Sequence, residues 1–109
     1  MKATSLILIL LLCSPPLLAE VGEIRAASWA QPRDGEWLLQ QPGIASAVRA
    51  LQQAPTSRLQ LLYPGGDEGA LWAEELQAWL VAMGIPSSRI ERIPGSAQVD
   101  RIQLRLQTE

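Results

Sequence analysis

The chain contains no histidine and a single cysteine, Cys13. Without imidazole the usual general base is missing, and one thiol cannot close a disulfide within the chain. Most transition-metal ligands go with them, so no metal or cofactor is expected and only carboxylates remain open for catalysis. Blocks of like charge are also missing, and the formal net charge is −2. Nucleic acid and anionic lipid are therefore not expected partners. All basic residues after Lys2 are arginine, a bias from which no function follows.

What is present begins with a leader. Lys2 gives a positive end, Leu6 to Cys13 form an unbroken apolar run, and Ser14-Pro15-Pro16-Leu17-Leu18-Ala19 breaks it before a small residue. That order predicts a cleavable signal peptide over 1–19 and a periplasmic destination. A membrane anchor needs roughly 20 apolar residues, and two prolines interrupt this shorter stretch. A lipid anchor on Cys13 is not expected either, because the residue before it is the bulky Leu12. Once Lys2 leaves with the leader the net charge falls from −2 to −3. Residues 20–109 then have to hold together by burial alone, hiding roughly 60–65% of the unfolded surface.

Residues 20–41 are the hardest to read. Glu23 to Trp29 suggest an edge strand, Pro32-Arg33-Asp34-Gly35 a turn, and Glu36-Trp37-Leu38-Leu39 a short apolar piece of either type. From residue 42 the signals sharpen. Pro42 suits a first helical turn, Ile44, Val48 and Leu51 line one face, and Pro55 stops the helix near Gln53 or Ala54. Leu59 to Tyr63 reads as an inner strand ended by Pro64-Gly65-Gly66. A second helix puts Trp72, Leu76, Trp79, Leu80 and Met83 inward and Glu74, Glu75, Gln77 and Ala78 outward. Asp67 and Glu68 stand where a carboxylate caps it, and Gly84-Ile85-Pro86 closes it. Ile90 to Ile93 is a short strand. Asp100 to Gln107 alternates, with Ile102, Leu104 and Leu106 inward and a wet second face. The expected fold is an α/β (α+β) two-layer sandwich in the order β-α-β-α-β-β, with two helices on one face of a small mixed sheet.

From Leu59 to Leu106 the sequence resembles the OmpA-like domain, a periplasmic α/β module that binds peptidoglycan. The stretch Trp72 to Ile90 carries the likeness, most specifically Gly84-Ile85-Pro86-Ser87-Ser88-Arg89-Ile90, and Asp100-Arg101-Ile102-Gln103-Leu104 matches the closing strand. Ile44 to Tyr63 also fall in the family's element order. The resemblance implies an OmpA-like domain over 42–109. In that family an aspartate after the strand and an arginine opening the helix grip the charged ends of diaminopimelate. Asp67 matches the aspartate, but Trp72 stands in the arginine's place, and an indole cannot make two charge-assisted bonds to a carboxylate. The segment between loop and helix is also shorter than in the family.

Three functions follow as expectations. The first is a non-enzymatic cell-envelope domain that binds another protein. The second is a peptidoglycan- or glycan-binding module using Asp67 and exposed tryptophans, for which Trp29 and Trp37, flanking a turn, are freer than Trp72 and Trp79 on the apolar stripe. The third is a carboxylate-dependent hydrolase, which would require two acidic side chains, from among Asp67, Glu91 and Asp100, to converge in one pocket, since neighbours such as Asp67/Glu68 or Glu74/Glu75 rarely straddle a cleft. The Gly65-Gly66-Asp67-Glu68-Gly69 loop lacks the lysine of a phosphate cradle and reads as a tight turn with an acidic helix start.

Overall fold

The computed structural model describes residues 18–96 and 98–108. The leader residues 1–17, with Cys13, lie outside the described residues. Strand β1 (Leu18–Arg25) is followed by two short helices, α1 (Ala26–Trp29) and α2 (Gly35–Gln40), and then by α3 (Pro42–Gln53). Strand β2 (Arg58–Tyr63), helix α4 (Asp67–Ala82), a 3-10 turn over Ser87–Arg89, β3 (Ile90–Pro94) and β4 (Arg101–Gln107) complete the chain. The strands form one mixed sheet in the order β1-β4-β2-β3. β4 runs antiparallel to β1 and β2, while β2 and β3 are parallel, joined by the crossover through α4.

Alternation on β4 fixes which face is covered. Ile102, Leu104 and Leu106 are buried beneath the helices, and the residues between them are half-buried on the other face. Leu59 and Leu61 of β2 join them, with Ile44, Ala47 and Leu51 from α3 and Ala73, Leu76 and Leu80 from α4. Each fully buried leucine or isoleucine contributes roughly 1.5–3 kcal/mol relative to exposure. The architecture is the α+β two-layer arrangement expected from periodicity. Across the open face Gln60 donates to Gln107 at 3.0 Å and to Glu91 at 3.4 Å, and Arg101 reaches Glu23 at 3.2 Å. The Arg101 guanidinium, hydrogen-bonded to Asp100, holds that carboxyl below the usual aspartate range.

The early residues depart most from expectation. β1 is indeed an edge strand, but it begins at Leu18, inside the expected leader, and ends at Arg25 rather than running to Trp29. Ala26 N–H makes a last bond to the β4 side, donating to Asp100 O at 2.7 Å, and α1 begins at that residue. The piece around Trp37 is helical. Asp34 caps α2 by accepting from Trp37 N–H at 2.8 Å. Residues 20–41 thus belong to the fold: β1 pairs with β4, and Trp29 and Leu38 lie in the common core.

Gly84 to Ile90, the core of the family resemblance, does structural work. Gly84 has φ of 103°, Gly84 N–H donates to Val81 O at 2.9 Å, and Ile85 N–H reaches Leu80 O at 3.1 Å. These bonds stop α4 and seat Ile85 in the core. Arg89 then reaches back to α3. Its guanidinium donates to Leu51 O at 3.2 Å, Ala54 O at 2.9 Å and Ser57 O at 2.9 Å. These include carbonyls left without helical partners at the end of α3.

Candidate functional site

Because β4 is antiparallel to β1 and β2, β4 begins at the same end of the sheet where those two strands finish. The connections at that end enclose a cleft of about 560 Å³, within the range of small-molecule sites. Trp29 comes from α1, Arg33 from the loop after it, and Glu68, Trp72 and Glu75 from α4, with Val99 at the rim. The first turn of α4 can lie against the end of β2 only because residue 69 is glycine. A Cβ there would stand 1.8 Å from Pro64 O. This seating brings Glu68 and Trp72 to the cleft.

Two tryptophans, Trp29 and Trp72, form part of its wall. Trp29 meets Trp37 edge-on with ring centroids 6.1 Å apart and leans on Trp72 at 6.2 Å. Trp29 is buried and the other three tryptophans are half-buried. The exposed tryptophans expected for a glycan platform are therefore absent among the described residues: Trp29 of α1 lies between Trp37 of α2 and Trp72 of α4, so these three indoles cover one another. Nor do Trp72 and Trp79 occupy the deepest line of α4. Gly69, Ala73, Leu76 and Leu80 do, since small residues let the helix approach the sheet, and the two indoles flank that line.

Arg33 fills part of the cleft. Its guanidinium lies 4.5 Å from the Trp29 ring centroid and donates to Trp29 O. It also grips Glu75 with bonds of 3.0, 3.0 and 2.8 Å. Glu75, expected on the solvated face with Glu74, is instead half-buried in this pair. Glu74 is exposed, 3.9 Å from Arg92. Trp79 Nε1–H donates to the Glu75 carboxylate at 3.4 Å. Trp72 differs: its Nε1–H is buried and has no partner.

Asp67 is the first residue of α4, exposed, and does not line this cleft. Nor does it cap the helix. Gly66 is the N-cap, with φ of 95° and no side-chain bond, so Asp67 and Glu68 favour α4 only by lying near its positive end. None of the three carboxylates considered for hydrolysis lines the cleft. Asp67 stands on α4, Glu91 meets Gln60 on the open sheet face, and Asp100 pairs with Arg101 before β4. Among the described residues no group of three or more histidine, cysteine, aspartate or glutamate side chains could hold a metal ion.

A second hollow, about 430 Å³, follows the outer edge of β1 where Gly22 and Gly43 bring strand and helix backbones together. Sequence reading missed Arg33 and the pairing of Trp29 with Trp72. Asp34-Gly35-Glu36 was the one available signal, as a capped helix start rather than a turn. Comparison of the chain with protein-family models, curated proteins and solved structures gives no match.

Proposed function

We propose that residues 1–19 direct export and are removed, and that the remaining domain, OmpA-like in descent, acts without catalysis in the periplasm by binding another envelope protein through the indole-lined cleft. The cleft carries this reading. It is lined by Pro64 and Gly65 after β2 and by Trp72, the position that the resemblance matches to the family's arginine, while Asp67 stays outside it. At those positions this chain has an indole in place of a guanidinium, and its one nearby guanidinium is held by Glu75. Among the described residues a peptidoglycan stem finds no free cation there for its carboxylate, whereas aromatic faces beside a polar rim suit a protein surface. The element order from α3 onward and the Gly84–Ile90 turn support the kinship.

Fractionation with N-terminal sequencing tests the export half, with a periplasmic product beginning at Glu20 as the expected result. A photo-crosslinker at Val99, on the cleft rim, should yield an adduct with another polypeptide, while purified sacculi should not retain the protein. Cytosolic material that keeps Met1 would overturn the envelope reading. Sacculus retention lost in Trp72→Ala would put glycan binding in place of protein binding.

A further inference from the structure

Helix α4 repeats one small unit along its flank. Glu68, Trp72, Glu75 and Trp79 follow at spacings of four, three and four, so they share a face and alternate carboxylate with indole. The lower half of this stripe is occupied. Glu75 holds the Arg33 guanidinium in a forked ion pair, with the Trp29 ring 4.5 Å away, and accepts from Trp79. There the indole beside the guanidinium comes from α1; in the upper half the stripe itself supplies both a carboxylate and an indole, with no guanidinium between them. Glu68 and Trp72 both line the cleft, and Glu68 has no ion pair among the described residues. Exposed Asp67 adds negative charge beside it, and the chain as a whole is acidic, with pI near 5.1.

We infer that the unfilled Glu68–Trp72 pair receives an arginine side chain from the partner protein, held as Arg33 is held, between an indole and a carboxylate. This rests on the proposed role of the cleft in protein binding and specifies its chemistry. A guanidinium satisfies both groups at once: its plane stacks on the indole and its forked donors meet the carboxylate. A single arginine at so open a site binds weakly, with millimolar affinity.

The test uses arginine amide as probe, with citrulline amide as its neutral isostere, followed through the indole N–H signals of the exported protein. Arginine amide should shift the Trp72 signal saturably, and citrulline amide should not. Glu68→Gln should weaken binding at least five-fold, while Glu74→Gln, on the outer face of α4, should leave it unchanged. Equal binding of citrulline amide, or full binding by Glu68→Gln, would overturn the inference. The Val99 crosslink separates the two readings. An adduct that forms equally well in Glu68→Gln defeats the arginine site and spares the protein-binding role. Absence of any adduct, with arginine amide still bound, defeats that role and spares the site chemistry.

Discussion

Arg33 and Trp72 show how side chains far apart in sequence settle the chemistry of the cleft. The Arg33–Glu75 pair spans 42 positions, and its side chains keep 24% and 40% exposure. Such a pair is worth about 1 kcal/mol or less, so it orients more than it stabilises. The tryptophans matter more to stability. Trp29→Ala opens a cavity between α1 and α4 and should cost about 3–5 kcal/mol. Trp72→Phe removes an indole N–H whose unpaired burial already costs roughly 1–3 kcal/mol, which offsets part of the lost ring contact. Its midpoint in urea should correspond to a change within about 1 kcal/mol of the parent. A larger loss would mean that Trp72 N–H has a partner, such as a bound water. None of these contacts was legible in the sequence, because periodicity reports which face is buried and not which distant residue faces it.

At the level of elements, local signals served well where one rule acted alone. Pro42 and Pro55 bounded α3, and Gly84-Ile85 closed α4 as the bonds to Leu80 and Val81 require. They failed where two rules competed. Asp34 serves both a turn and a helix start, and the helix won because it buries Leu38 and partly covers Trp37 on α2. Asp67 looked like a cap, but the sharp turn after Pro64 needs glycine at residue 66, which takes the cap position. Two contacts join elements closely enough to test. Gly69→Ala drives a methyl into Pro64 O and should cost more than about 2 kcal/mol by chemical denaturation. It should also weaken any ligand of the cleft by displacing Glu68 and Trp72. Arg89→Ala frees the carbonyls of Leu51, Ala54 and Ser57 and should cost about 1–3 kcal/mol without altering the cleft.

For the molecule as a whole, the sheet order explains why the fold class was readable while its first strand was not. β4 alternates cleanly because only one of its faces is covered. β1 is an edge strand with a bulge between Glu20 and Gly22, which breaks the alternation that would reveal it. Its position also bears on processing. Of the seven β1–β4 residue pairs, a cut after Ala19 removes those of Leu18 and Ala19 and keeps five. A chain starting at Glu20 should therefore fold, with a circular dichroism spectrum and melting transition close to those of the uncut chain. A chain starting at Ala26 exposes the backbone edge of β4 and should lose cooperative melting or aggregate.

The neighbouring of the first and last strands also sets the polarity of the domain. Leu18 pairs with Gln107, so both ends of the described chain leave from one pole of the sheet. The indole-lined cleft lies at the opposite pole, roughly 20 Å away along β4. A tether joined at either end would hold the cleft pointing outward from its attachment, and a purification tag or fused domain could be placed at either end without standing over it.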